Sequence, residues 1–136
     1  MDRKALTETK ALLAKADALY KPFSCPASAE CCQLKNTGRQ PWLWPSEWAL
    51  LMAFLKRERR VLPPKRADGA CPFLIDNRCS VYEARPFGCR TYFCHRASGP
   101  QRQPLEQTGA LLDRFASLHA GEGEPKPLLD WYEEAS

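Results

Sequence analysis

The chain has 136 residues, of which 44% are hydrophobic and 26% charged, and its net charge is only +4. This length fits one domain with a modest core, so we expect a single domain over residues 1–136. No stretch is long and apolar enough to span a membrane, and no apolar run of about 7 to 15 residues after Met1 could act as a secretory signal. We therefore exclude membrane-spanning proteins and expect a cytoplasmic one.

Three stretches have the apolar periodicity of helices. The first covers about residues 3–20, with apolar side chains along one side and charged ones mostly on the other. The second begins at Pro45, with Ser46 as the N-cap, and runs to about Arg60. The third extends from about Leu105 to His119. These three helices bracket the cysteine-rich part of the sequence.

Between Cys71 and Cys94 the segments are too short for helices. Phe73-Leu74-Ile75 and Ser80-Val81-Tyr82 are separated by Asp76-Asn77, a pair typical of turns. We therefore expect short strands or turns in this region.

The last segment, residues 121–136, has the composition of an acidic, loosely held tail. Leu128, Leu129 and Trp131 are the residues we expect to dock back on the helices. The predicted fold class is thus a small α-rich domain, in which about three helices surround an irregular, cysteine-rich metal-binding centre with short strands or turns. The cluster region spans residues 21–96.

Seven cysteines in two groups are the strongest chemical signal in the sequence. They are Cys25, Cys31 and Cys32, followed by Cys71, Cys79, Cys89 and Cys94. Thiolates are soft ligands that suit zinc and iron. A disulfide framework needs an oxidising compartment, and an odd number of cysteines leaves one thiol over. The pattern therefore favours a metal site, and the bound ion would add a large free energy to folding.

The number of metal centres and the metal are open at this point. Adjacent side chains point in different directions, so Cys31 and Cys32 seldom bind one ion together, and the doublet indicates two centres or one spare thiol. With His95 as an added candidate, seven sulfurs and one imidazole suffice for two four-coordinate sites. Zinc is the first choice, and iron or a 4Fe–4S cluster is the alternative.

Four arginines accompany the second group of cysteines: Arg78, Arg85, Arg90 and Arg96. Several thiolates around a divalent ion leave negative charge that neighbouring donors offset. Arg85 and Arg90, in the most crowded stretch, are the better candidates for guanidinium donors to sulfur. The alternative is that they are simply solvated.

The second group also carries a recognisable signature. The stretch from Cys79 to Cys94 contains a Tyr-Glu-x-Arg-Pro element and a Cys-Arg-x-Tyr-x-Cys close, after the sequence Cys71-Pro72-Phe73-Leu74. With the upstream Cys-x5-Cys-Cys, this combination resembles the YkgJ-type cysteine-cluster family over about residues 21–94. That family is described as a proposed zinc- or iron-chelating domain, and a related cysteine pattern occurs in the flagellin lysine methylase of some bacteria. The resemblance implies metal ligation by all seven cysteines and a bacterial cytoplasmic protein, but no settled reaction.

Other functions stay open beside a structural or metal-binding role. An iron–sulfur enzyme or redox protein of the methylase-associated type could use Glu83 as an acid or base, although Glu83 could equally pair with a local arginine. A zinc-dependent nucleic-acid-binding module would use the basic run from Lys56 to Arg66, and the low net charge makes it the weaker alternative. Metal handling is a further class. The sequence does not decide whether the protein is an enzyme or has a protein partner.

Overall fold

The computed structural model describes residues 3–23, 40–76, 78–91, 99 and 102–136, and more than half of these lie in helices. The α-helices are α1 (Arg3–Leu19), α2 (Pro45–Arg57), α3 (Phe87–Arg90), α4 (Leu105–Leu118) and α5 (Leu128–Ala135), with one 3₁₀ turn at Tyr82–Ala84. The strands are β1 (Trp42–Leu43), β2 (Leu74–Ile75), β3 (Arg78–Cys79) and β4 (Lys126–Pro127). β1 pairs antiparallel with β4, and β2 with β3.

The three long predicted helices are confirmed as α1, α2 and α4, and the structure adds the short helices α3 and α5. Two details of α2 differ from the prediction. Its N-cap is Trp44 and not Ser46, because the Glu47 carboxylate accepts the Trp44 N–H at 3.0 Å. It ends at Arg57, before Arg59, which adopts a left-handed φ of 55°. In the described residues, no helix is long and apolar enough to cross a membrane.

Among the described residues, two hydrophobic clusters stabilise the fold, and α2 contributes to both. The first core joins α2, the β2–β3 hairpin and α5 through Leu43, Leu51, Phe54, Leu55, Ala70, Cys71, Phe73, Leu74, Val81 and Leu128. The second core joins α1, α3 and α4 through Leu12, Leu13, Ala16, Phe87, Leu111 and Phe115, with Leu50 of α2 packed against it. Burial of these apolar side chains is the main driving force that holds the helices together.

The C-terminal segment is not a loose tail, so that part of the prediction is wrong. It enters β4, where Lys126 and Pro127 pair with β1, and continues as α5. The predicted docking is confirmed, because Leu128, Leu129 and Trp131 all pack on the first core. The Trp131 indole N–H donates to the Leu43 carbonyl at 2.9 Å. Apolar side chains spaced along one face of α5 explain why this acidic segment is held.

The short strands and turns expected after Cys71 are confirmed in the described part of that region. Leu74 and Ile75 form a strand as expected, and Asp76 follows with the positive φ of 50° that a tight turn favours. The second strand is Arg78–Cys79, and Ser80 and Val81 form a turn after it. The Ser80 hydroxyl and its N–H both donate to the Phe73 carbonyl, at 2.6 and 2.8 Å, and the chain then turns into the 3₁₀ helix.

Candidate metal centre

Three of the seven predicted ligands lie in the described part of the chain. Cys71 is buried just before β2, Cys79 is half-buried on β3, and Cys89 is half-buried in α3. The other four, Cys25, Cys31, Cys32 and Cys94, and the added candidate His95 lie outside the described residues. Within the described ranges, no three Cys, His, Asp or Glu side chains form a group that could hold a metal ion. A complete cysteine-rich centre is therefore not confirmed.

The hairpin places Cys71 and Cys79 around the same residue. The Leu74 N–H donates to the Cys71 carbonyl at 3.0 Å, and Leu74 pairs with Cys79 in the β2–β3 ladder. Cys71 belongs to the first core and Cys79 packs against it. The hairpin thus brings together two predicted ligands that are eight positions apart in the sequence.

A side-chain clamp fixes the backbone on both sides of Cys71. Arg66 donates to the Leu74 carbonyl at 2.6 Å and forms a two-pronged pair with Asp68, at 2.6 and 2.9 Å. Asp68 in turn accepts the N–H of Ala70 at 3.1 Å. These contacts, chiefly the hydrogen bond from Arg66, hold the pKa of Asp68 well below its usual range. The pair is exposed, so its main effect is to set the path of the loop.

Cys89 lies in α3, which is attached to α2 through the buried carboxylate of Glu47. One Glu47 oxygen accepts the Phe87 N–H at 2.6 Å, and the other accepts the Trp44 N–H. The side chain is 2% exposed, and burial raises the pKa of Glu47 to about 7, even though both N–H donors and the nearby Arg90 favour the charged form. Glu47 therefore joins the first turns of two helices.

Arg90 holds the other end of α3. Its guanidinium donates to the carbonyls of Arg85 at 2.7 Å and Glu83 at 2.9 Å, and it pairs with Asp17 of α1 at 2.5 Å. The Arg90 side chain is only 10% exposed. Arg85, for its part, lies over the Tyr82 ring at 3.8 Å and donates to the Tyr82 carbonyl. The described contacts of Arg90 thus hold the backbone that leads into α3, and those of Arg85 are with Tyr82 in the preceding 3₁₀ turn.

The residues that flank the two cysteine groups meet at Gly99. A Cβ atom on Gly99 would lie 2.8 Å from the Pro22 carbonyl oxygen and 3.0 Å from the Phe23 Cα, and the φ of Gly99 is +144°. Only glycine fits such a close approach with that backbone conformation. Phe23 precedes Cys25 by two positions, and Gly99 follows Cys94 by five. A segment that precedes the first cysteine group therefore contacts a residue that follows the second group.

Sequence reasoning did not select Glu47 or the burial of His119. A glutamate at the third position of α2, after Pro45, is the usual signal for a side chain that caps the preceding N–H, and it could have identified Glu47. His119 occupies the C-cap of α4, is 2% exposed and stacks on Trp44. Its Nε2 accepts the Ser46 N–H at 3.4 Å, which makes it part of the core.

Most of the basic run after α2 is engaged within the protein. Arg57 and Arg60 both lie over the Phe54 ring, at 5.4 and 5.8 Å. Lys65 pairs with Glu133 at 2.8 Å, and Arg66 pairs with Asp68 as described above. Arg57, Arg60 and Lys65 remain exposed, so these contacts do not test the nucleic-acid alternative.

Comparison with known proteins adds one finding to this geometry. A family model named CxxCxxCC and described as "Putative zinc- or iron-chelating domain" matches residues 24–109, which is well over half of the chain. The chain belongs to the CxxCxxCC family. No curated protein and no solved structure matches it. Membership of the CxxCxxCC family supports metal binding and leaves the choice between zinc and iron open.

This CxxCxxCC protein departs from the pattern that gives the family its name. Read from Cys25, the pattern would place cysteines at positions 25, 28, 31 and 32, and this chain has Ser28 at the second of them. The three described candidates, Cys71, Cys79 and Cys89, are all thiols, and thiolates are donors that both zinc and iron accept. The donor chemistry of the described cysteines of this CxxCxxCC protein therefore fits such an ion.

Proposed function

We propose that this protein binds zinc through thiolates from both cysteine groups, and that its role is mainly structural or binding. The proposed ligands are Cys25, Cys31, Cys32, Cys71, Cys79, Cys89 and Cys94. They belong to a single domain over residues 1–136, which we place in the cytoplasm. The bound ion would supply a binding free energy on the order of 10 kcal/mol to folding, comparable to the net stability of a domain.

The contact of Gly99 with Pro22 and Phe23 carries the proposal. A site that draws on both groups needs the two halves of the chain to approach each other beside the cysteines. Cys25 follows Phe23 by two residues, which span at most about 7 Å, and Gly99 follows Cys94 by five residues, which span at most about 18 Å. The pair between Asp17 and Arg90, which is adjacent to Cys89, ties the same two halves together at a second point. Both contacts support convergence of the groups.

Anaerobic purification, elemental analysis and a visible absorption spectrum test the proposal. We expect a colourless protein with bound zinc, because zinc has a filled d shell and no visible transitions. A brown protein that contains iron and inorganic sulfide would replace zinc by an iron–sulfur cluster. A folded protein with no metal of either kind would refute metal binding altogether.

A pair of variants tests whether the cysteines are the ligands. Cys89→Ser removes a thiolate, and we expect it to lower the metal content and the midpoint of thermal unfolding. Thr9→Val is the control, because it removes the buried hydrogen bond from Thr9 to the Ser46 hydroxyl without removing a thiol. Unchanged metal content in Cys89→Ser, measured beside the control, would exclude Cys89 as a ligand.

A further inference from the structure

We propose that Glu47 and Arg90 are positioning residues that hold α3, and with it the Cys89 thiol, in the orientation that the metal requires. This inference rests on the proposed metal-binding function. It adds Glu47 and Arg90 as residues that support the site without binding the metal. Their described contacts are all with groups of the protein, so they orient α3 without touching the ion. This is preorganisation of a ligand, which reduces the ordering that metal binding would otherwise require.

α3 cannot hold its shape by itself. It contains four residues, Phe87–Arg90, whereas isolated helices shorter than about 12 residues are marginal in water. Its conformation must therefore come from contacts with other elements. Phe87 supplies one of them, since its buried ring packs edge-to-face on Phe115 at 5.5 Å. The contact of the Phe87 ring fixes the position of α3 at one point. The orientation of the helix about that point is then set by polar contacts.

Glu47 sets the N-terminal end of α3. Its carboxylate accepts the N–H of Phe87, the first residue of α3, and the N–H of Trp44, the N-cap of α2. A buried carboxylate is an expensive way to stabilise a fold, because desolvation disfavours its charge. What it provides is two directed acceptors with a fixed spacing, which an apolar residue of the same size would lack. The carboxylate thereby fixes α3 relative to α2.

Arg90 sets the C-terminal end from the other side. One guanidinium reaches the carbonyls of Glu83 and Arg85, in the segment that enters α3, and Asp17 on α1. Cys89 is the residue directly before Arg90 and lies two positions after Phe87. The contacts of Glu47 and of Arg90 therefore lie on either side of Cys89 in the sequence. They attach α3 to α1, to α2 and to the preceding turn.

The test compares zinc binding by the full-length wild-type protein with that of Glu47→Gln at about pH 8, where the wild-type carboxyl, whose pKa is about 7, is mostly ionised. The glutamine side chain has almost the same shape, but it offers one acceptor oxygen where the carboxylate offers two. We expect the zinc affinity of this variant, measured by competition with a chelator, to fall on the order of tenfold, as for other residues that orient metal ligands. With cobalt in place of zinc, we expect weaker thiolate-to-cobalt charge-transfer absorption, which reports the number of sulfur ligands and not stability.

Thr9→Val is the matched control. Thr9 is fully buried and donates to the Ser46 hydroxyl at 2.7 Å, beside Glu47 in the sequence but with no described contact to α3. We expect this variant to lower the melting temperature while zinc affinity and the cobalt spectrum stay as in the wild type. A loss of affinity in Thr9→Val as large as in Glu47→Gln would overturn the proposal, because general destabilisation would then explain both.

Arg90→Lys keeps the test decisive if Glu47→Gln does not fold. Lysine retains the charge that faces Asp17 but cannot reach both carbonyls as the guanidinium does. We expect the same weakening of zinc affinity and of the cobalt absorption. Unchanged values in either folded variant would overturn the role of that residue. A wild-type protein that binds neither zinc nor cobalt would instead refute the proposed function itself.

Discussion

The buried carboxyl of Glu47 makes a quantitative prediction about stability and pH. The change is Glu47→Gln, which removes a titrating group while it preserves size. In the folded protein burial raises the pKa of Glu47 from its ordinary value of 4.5 to about 7. Between these two pH values the folded protein keeps a proton that the unfolded chain has released. A proton bound more tightly by the folded state means that stability falls as the pH rises.

The size of the effect follows from the pKa difference. One pKa unit corresponds to about 1.4 kcal/mol, so a rise from 4.5 to about 7 corresponds to about 3 kcal/mol of folding free energy. Most of it is lost between about pH 5 and about pH 8. The glutamine in the variant has no carboxyl proton to release. The quantity to compare is the unfolding free energy of the wild type minus that of the variant. We expect it to be about 3 kcal/mol larger at about pH 5 than at about pH 8.

Urea unfolding of both proteins at several pH values measures this difference. All other titrating groups, the neighbouring Arg90 included, are present in both proteins and cancel in the comparison. Metal is kept in large excess, so that a weaker affinity in the variant adds a nearly constant offset. A stability difference between the two proteins that stays the same from about pH 5 to about pH 8 would show that Glu47 ionises at its ordinary pKa, and the reasoning would be wrong.

Three further changes test the packing. Gly99→Ala should lower the free energy of unfolding by about 1 to 3 kcal/mol, because its Cβ would lie 2.8 Å from the Pro22 oxygen at a φ of +144°. Gly109→Ala is its control: nothing lies within 4 Å of that added Cβ, in the middle of α4, so we expect a gain of about 0.5 to 1 kcal/mol. Phe115→Ala should lose about 3 to 5 kcal/mol in urea unfolding, since the ring is fully buried, and a loss below about 1 kcal/mol would contradict its place in the second core. Tyr132→Phe should lose about 1 kcal/mol, because it removes the hydroxyl that donates to the Pro63 carbonyl at 2.5 Å; an unchanged denaturation midpoint would count against that bond.

The helices were predictable because they depend on local periodicity. Apolar side chains recur along α1, α2 and α4 at the spacing that buries one face, and this pattern is visible in the sequence alone. The sequence did not predict α5, because this helix is only eight residues long and its acidic residues are typical of a solvated tail. Its order comes from long-range contacts, such as that of Trp131 with Leu43, which no local pattern contains.

The sequence predicted the chemistry of the candidate site, but not the contacts that hold the helix carrying Cys89. Soft ligands in two groups indicated a metal, and the family match agrees. The supporting role of Glu47 depends on the Phe87 N–H, forty positions away, and the role of Arg90 depends on Asp17, seventy-three positions away. Such pairs are set by the folded arrangement of helices. The sequence could indicate that Glu47 caps its own helix, but not that it also holds a second one.

The participation of α2 in both hydrophobic cores has a consequence for hydrogen exchange. Leu51, Phe54 and Leu55 face the first core and Leu50 the second, so neither cluster can open without disturbing this helix. Amide protons in the centre of α2 should then exchange with solvent only when the whole molecule unfolds, whereas those of α5 and α1 can exchange through separate, smaller openings. In such an experiment α2 would report global stability, and its two neighbours would reveal which half of the protein loosens first.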